Sequence, residues 1–464
     1  MKKILSVLIT LIVIVAIGLL LPYFMGVLAQ KKCQELAGTF ANLARVEITV
    51  TDYKRHWFDS NATFMLKLRQ PLVLNGMGLD KANSELQQLT VNAHILHGPV
   101  VISPRSIKLA QAVVEAEVVL TREQNALLQR ENDALPLANI SLGINLDGSS
   151  SLRIKGAPLT FKVEKVGLNL QGLNIQVAFS AFLNKIKSTI DLPSFDFSHE
   201  DSLLHVEGLT VNYVGAKNNL DLWVGQRQVA LKSLSVKSGS NDNLALAGFM
   251  LTTNVTEEQR LVTAQTTISL DSLNFNNMSY TQNTIDWEAN NLDVAMLAKL
   301  QHEIRKLSDM SDPSLQQGMS IVKYLGLLLS KGVTLNIKQV ASHTPWGEFM
   351  AAGQIDAAKN NDEDFLAVLT NLRGEFNLQV EQALAQYLLA KYYESDVKDV
   401  PVSPEEQAKN TLNEWLKSGT ILLEGTAYKT KVKYDKRLLI NDKPISFGNI
   451  QQHLPANPIT TVVK

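Results

Sequence analysis

The sequence predicts an α+β, strand-dominated protein: an N-terminal transmembrane helix, then a large antiparallel, weakly repetitive β-sheet body with a few amphipathic helices in its C-terminal half. Three observations carry this. One uninterrupted apolar run opens the chain, period-two alternation of apolar and polar residues dominates from Arg45 onward, and the longer period-3.6 stretches appear after about residue 290. The expected organisation is an anchor over 1–30, a strand-rich region over 31–136, a β-rich body over 137–290 and a mixed α/β region over 291–464.

The opening run extends from Ile4 to Leu21, behind Lys2 and Lys3, broken only by Ser6, Thr10 and Gly18. Eighteen helical residues would extend about 27 Å, close to the hydrocarbon thickness of a bilayer. Its length favours an uncleaved anchor over a cleavable signal, although Val27-Leu28-Ala29 would make a passable cleavage site. Lys31 and Lys32 behind the run nearly balance Lys2 and Lys3 in front, so charge orients it weakly. The strand-rich body and the single cysteine, Cys33, favour export, giving a single-pass protein of the bacterial inner membrane with most of the chain periplasmic. One cysteine excludes an internal disulfide framework and leaves pairing between two chains open, and with it a homo-oligomer.

Strands follow in order. Val46–Thr51, Phe64–Arg69 and Leu89–Ile95 alternate cleanly. Ile107–Leu120 reads as one strand with Val113, Glu115, Glu117 and Val119 on one face and Val114, Ala116 and Val118 on the other. Arg122–Asn132 reads as a short helix closed by Pro136. From 137 to 290, strands alternate with Gly, Asn, Asp and Ser turns, and Leu209–Leu220 weakly resembles Leu234–Leu244 at an offset of about 25 residues. Helices are expected over Leu292–Met310, Ser314–Lys331, Val380–Tyr393 and Pro404–Lys417, the last with a Ser403 cap, a first-turn proline and Glu405 and Glu406. Strands are expected at Val333–Val340, Phe349–Ile355, Thr420–Glu424, Lys429–Tyr434 and Leu438–Asn441.

Chemistry is sparse. A net charge of −1 gives no basic excess for nucleic acid, and 6% aromatics gives little for base or sugar stacking. Asn75-Gly76-Met77-Gly78 does not complete a phosphate loop, and no GxSxG, SxxK or HExxH occurs. No cofactor, metal or catalytic set is expected. His94 and His97 fall on opposite faces of a strand and so are ill placed to share a metal. Ser198-His199-Glu200-Asp201 reads as a solvated turn, and the sequons at Asn61, Asn139, Asn254 and Asn277 matter only in a eukaryotic secretory pathway. The densest local stretch is Asp52–Ser60, which reads either as an aromatic corner with Trp57 and Phe58 plugging the core or as a contact for a partner or ligand.

That stretch also carries a resemblance. The order of an apolar start, then Tyr53, Arg55, Trp57, Phe58 and Ser60, then His97-Gly98-Pro99, and finally Tyr434 to Asn441 and Pro444, resembles the YdgA-like family of Gram-negative envelope proteins, a domain family of unknown function. Where members of that family carry glycine after the arginine and after the asparagine, this chain has His56 and Asp442; both places need tight turns, which Asn and Asp partly tolerate. The resemblance implies an inner-membrane, periplasm-facing protein and supplies no catalytic residues. The expected function is therefore non-enzymatic, in envelope assembly or as a partner-binding component of an envelope complex. The alternatives are a lipid-binding or lipid-transfer protein with an AsmA-like apolar β groove, an analogy of fold alone, and an enzyme with an unrecognised site. The expected partners are a membrane and an envelope protein or lipid, without nucleic acid. What separates these readings is whether the sheet exposes an apolar face or packs it shut.

Overall fold

In-register antiparallel pairing of consecutive segments builds nearly all of this protein. The structure is a computed structural model that describes residues 21–28, 30–31, 46–68, 88–103, 106–127, 135–163, 165–239, 242–276, 278–308, 315–359, 368, 370–396 and 402–445. The chain divides into two compact units, the first made of Met1–Ala216 and Val229–Asp242, the second of Lys217–Gln228 and Asn243–Lys464.

The first unit carries β1 (Val46–Arg55), β2 (Asp59–Leu68), β3 (Gln88–His97), β4 (Val100–Ser103), β5 (Ser106–Leu109), β6 (Ala112–Val119), α1 (Arg122–Leu127), β7 (Ala138–Ile144), β8 (Ser150–Gly156), β9 (Leu159–Val163), β10 (Val166–Leu170), β11 (Leu173–Phe179), β12 (Lys185–His199) and nearly all of β13 (Ser202–Lys217); β14 (Trp223–Ser238) contributes its residues from Val229 on. The ladder runs β1–β2–β3–β6–β7–β8–β11–β12–β13, with β10 and then β9 added along the second half of β12. Alternation sends Ala62, Val91, Ala93, Ile95, Val114, Ala116 and Val118 to one face, where they form the unit's buried core with Tyr53, Phe64 and Leu142 around them. The other face is polar. Glu115 lies across from His94 and Ser141, and Ser141 from Arg153.

The second unit carries β15 (Asp242–Glu258), β16 (Leu261–Phe275), β17 (Met278–Asp293), α2 (Val294–Ser308), α3 (Leu315–Leu329), β18 (Thr334–Thr344), β19 (Gly347–Ala357), β20 (Leu372–Glu381), α4 (Gln382–Asp396), α5 (Pro404–Ser418), β21 (Leu422–Glu424), β22 (Ala427–Asp435), β23 (Leu438–Ile440) and β24 (Lys443–Ile445). Its ladder is β15–β16–β17–β18–β19–β20–β22, continued by β23 and β24. Helix α5 forms as its sequence dictates: the Ser403 hydroxyl accepts from the Glu406 amide, Pro404 opens the first turn, and Gly419 closes the helix in the left-handed region at φ 78°.

Several expectations are corrected. The N-terminal transmembrane helix is not supported: among the described residues no helix is long and apolar enough to cross a membrane. The described helical residues there are 21–28 and 30–31, against the roughly 20 in a row needed, and residues 1–20 and 29 lie outside the described residues. Ile107–Leu120 is two strands, because β5 pairs with β4 in a hairpin of its own while β6 joins the main ladder. Val380 belongs to β20, a strand that the sequence analysis missed, and the helix begins at Gln382. Asn75–Gly78, Cys33 and Asp312-Pro313 lie outside the described residues.

The long strands change apolar phase part-way. In β15, Leu244 and Leu246 precede Phe249, Leu251 and Val255, and the change falls at Gly248 with φ 67°. A Cβ there would lie 2.7 Å from the Cβ of Asp271 across the pair. Gly239, at φ 62°, has nothing within 4 Å. Gly248→Ala therefore lowers the denaturant midpoint clearly more than Gly239→Ala, whose cost is the backbone strain alone, about 1 kcal/mol; equal losses in equilibrium unfolding contradict this.

Candidate functional site

The motif residues of the first half of the chain meet at one corner of the first unit. β1 ends at Arg55, and the His56 amide donates to the Asp59 carbonyl at 2.8 Å to turn the chain into β2. The Asp59 carboxylate accepts from His56 Nδ1 at 3.0 Å and from His94 Nε2 at 3.1 Å, tying the turn to β3. The bond from His94, before all else, holds the Asp59 carboxyl below its ordinary value. One residue on, alternation turns Ser60 inward, where its hydroxyl shares a 2.9 Å hydrogen bond with His97 Nε2; both residues are buried. His94 and His97 do fall on opposite faces, one exposed and one buried.

His97 is fixed from every side. Its amide donates to the Phe58 carbonyl at 2.8 Å, and the Gly98 amide to Gln111 O at 2.7 Å. Gly98-Pro99 is cis. A Cβ on Gly98 would sit 1.6 Å from the Ala110 carbonyl oxygen, so only glycine fits. Against the other side of the ring lies Gly26 of the helical stretch 21–28, where a Cβ would fall 2.4 Å from His97 Cε1. The same stretch brings Tyr23 to the corner: Arg55 donates to its hydroxyl at 3.0 Å and sits 4.7 Å above its ring, and Trp57 lies 5.4 Å from it. Trp57 and Phe58 do not plug the core. They are 46% and 55% exposed. Tyr53 is the aromatic that packs on the core.

Asn441 belongs to the second unit. It sits at φ 48° with Asp442 at 64°, so asparagine and aspartate do hold a left-handed turn here. Its side chain accepts from the Lys431 amide and donates to the Gly419 and Thr420 carbonyls, joining β22, the turn after β23 and the end of α5. His56 has no left-handed φ and needs no glycine.

The corner is built for structure and contact. Ser60 and His97 resemble a nucleophile and its base, yet both are closed to substrate, and His97 Nδ1 has no carboxylate to orient it. The nearby Trp57 carbonyl favours the protonated ring, but burial outweighs it and lowers the His97 pKa below 6.5. Among the described residues no group of three or more His, Cys, Asp or Glu is arranged to hold a metal ion. Glu200, in the turn after β12, pairs with Lys165.

A further surface of functional interest is the apolar face of the second unit's sheet; an apolar β groove is one of the alternatives the sequence offers, but the residues that build this face carry no signal in it. Cross-strand pairing assembles three consecutive rungs on it. One runs Leu251, Ile268, Ile285, Val340, Ala351, Leu378; the next Thr253, Thr266, Trp287, Ile337, Gly353, Phe376, Val432, Ile440; the third Val255, Ala264, Ala289, Leu335, Ile355, Gly374, Tyr434, Leu438. The opposite face presents Asn254, Gln265, Glu288, Asn336, Gln354, Glu375 and Lys433. Helices reach only parts of this sheet. α2 and α3 bury Leu300, Leu328 and Val333 with one another, and Val294 packs with Val262 and Leu222. At the other side Trp346 stacks 3.5 Å from Tyr387 of α4. Between them, Leu251, Ile268, Trp287, Ile337 and Phe376 are only half-buried and Ile285 is 41% exposed. Among the described residues, no buried core cluster contains any of them.

Residues 1–447 match the family model DUF945, described as a bacterial protein of unknown function. The chain belongs to the DUF945 family. No curated protein and no solved structure matches it. DUF945 membership thus fixes a bacterial domain family and leaves the chemistry to the geometry above.

Two outcomes follow for the corner. Ser60→Ala strands a buried imidazole nitrogen and costs about 1–3 kcal/mol by chemical denaturation; a neutral result contradicts the buried hydrogen bond. Because His97 is harder to protonate folded than unfolded, the unfolded chain takes up the proton first. Its contribution is complete above pH 6.5 and is lost as the pH falls below that value. The drop in thermal midpoint between pH 7 and pH 5 is accordingly smaller in His97→Gln than in the wild type; the same drop in both overturns the assignment.

Proposed function

We propose that this DUF945 protein binds the acyl chains of lipids on the apolar face of its second unit's sheet, acting by binding rather than catalysis. The observation that carries the reading is the three-rung face itself. Seven strands at about 4.8 Å spacing give it a width of about 29 Å, long enough for an extended hydrocarbon chain. A sheet satisfies its backbone hydrogen bonds in plane, so its apolar face still has to be buried against something. Each methylene transferred from water to such a face contributes about 0.8 kcal/mol. On this face the Phe376 ring packs over Gly353, where a Cβ would fall 2.3 Å from it, so glycine there lets the aromatic lie flat within the apolar surface.

An envelope location supports the same reading. Its basis is the single cysteine and the strand-rich body. The finer likeness to YdgA-like envelope proteins, carried by Tyr53, Arg55, Trp57, Phe58, Ser60 and His97-Gly98-Pro99, agrees with it.

Trp287 lies within the second rung and serves as the reporter. Brominated stearate quenches the full-length protein saturably, and Trp287→Phe removes most of that quenching. Ile268→Lys, on the apolar face of β16, weakens binding about tenfold or more, whereas Gln265→Lys, on the polar face of the same strand, leaves it unchanged. Absence of saturable quenching, or equal effects of the two lysines, overturns the proposal.

A further inference from the structure

A second apolar surface lies in the first unit and has a different construction. β4 leaves the sheet directly after His97-Gly98-Pro99 and pairs only with β5. The pairs Val100↔Leu109 and Ile102↔Ile107 put these four side chains on one face of the ribbon. They are between 50% and 73% exposed. The ribbon's other face is anchored, with Val101 buried against Ala110 and Val113. The ribbon thus has one anchored face and, on the other, four aliphatics that no described residue covers.

The neighbouring exposed groups belong to the same corner. The helical stretch that meets the His97 ring through Gly26 exposes Phe24, Val27 and Leu28, and the turn before β2 exposes Trp57 and Phe58. Tyr23 and Arg55 stand between the helix and the turn. The ribbon's own charge is of one sign. The ribbon sequence Val100–Leu109 contains Arg105 and Lys108 and no acid. Asp52 is paired with Lys54, and Asp59 with His56 and His94, whereas Arg55 has no carboxylate partner among the described residues; Lys108 lies across from Val101, on the ribbon's anchored face. Bare aliphatics on a ribbon, amphipathic Tyr and Trp behind them and a cation without a carboxylate partner alongside are the arrangement that a lipid–water interface selects: tails for the aliphatics, the headgroup layer for the rings, anionic phosphates for the cation. A protein partner would instead call for a flat patch with paired polar atoms at its rim.

We infer that the β4–β5 ribbon, with Phe24, Val27, Leu28, Trp57 and Phe58, is a docking surface for an anionic lipid bilayer, dipping its four aliphatics below the headgroups. This does not rest on the acyl-chain reading of the second unit, and its test reads the ribbon alone.

The test uses the full-length chain with Cys33→Ser and one new thiol, Ile107→Cys on the ribbon or Glu117→Cys on the polar face of β6, each carrying an environment-sensitive nitrobenzoxadiazole label. Vesicles of phosphatidylethanolamine and phosphatidylglycerol at 3:1 are added. The label at 107 shifts to the blue, brightens several-fold and is quenched by lipids spin-labelled in the acyl chain; it responds less to pure phosphatidylcholine, and the label at 117 does not respond. An Ile102→Cys protein gives the same result as 107. The inference is overturned if the protein does not float with the vesicles, or floats while the label at 107 stays in water. It is also overturned if that label shifts without vesicles in proportion to protein concentration, which makes a second copy the occupant.

Discussion

In-register antiparallel pairing is the constraint on which this structure depends. Each residue directly across a ladder points to the same face as its partner, so one strand's alternation is imposed on the next. Leu251 thereby aligns Ile268, Ile285, Val340, Ala351 and Leu378, and the polar residues that separate them are swept to the other side. The outcome is amphipathic sheet in both units. What differs is the cover. In the first unit the apolar face of β2, β3, β6 and β7 is a buried core centred on Ile95 and Ala112. In the second, the helices cover parts of the sheet and leave the apolar residues between them half-buried. An apolar face left in that state is a binding surface or a liability, and its length across the strands suits a hydrocarbon chain.

The corner at His97 shows the same rule at close range. A one-residue step separates Asp59, turned to solvent between two exposed histidines, from Ser60, turned to the core beneath a buried one. The backbone of Gly98 then passes so near Ala110 that no side chain is admitted, and this close pass is where the β4–β5 ribbon separates from the ladder. The packing that fixes the corner therefore also fixes where the ribbon emerges.

Much of the strand content was legible because alternation is local. Val46–Thr51 and Leu89–Ile95 lie inside β1 and β3, the two faces of Val113–Val119 are those seen in β6, and the Ser403 cap and Pro404 mark α5. The misses have local reasons too. Leu372–Glu381 interleaves Gly374 with charged residues and hides its alternation, so Val380, at the end of β20, reads in the sequence as the start of the following helix. Ile107–Leu120 alternates without a break, and only pairing of β5 with β4 splits it. The apolar start suggested a membrane span, a reading with no support among the described residues. At the corner, the sequence placed Tyr53, Arg55, Trp57 and Ser60 in one stretch but not their partners: Tyr23 and His97 are 32 residues from Arg55 and 37 from Ser60. Long-range pairing leaves no mark in a single sequence, and for that reason the three rungs of the second unit were invisible in it.

The most direct test of an open apolar face is the reactivity of a thiol placed at its centre. With Cys33→Ser and Ile337→Cys, the thiol in the middle rung reacts with a water-soluble maleimide at nearly the rate of an exposed site, and stearate slows it at least tenfold while leaving a thiol at Gln265 unaffected. A thiol at 337 that is unreactive from the start, or that reacts at the same rate with and without stearate, contradicts the account.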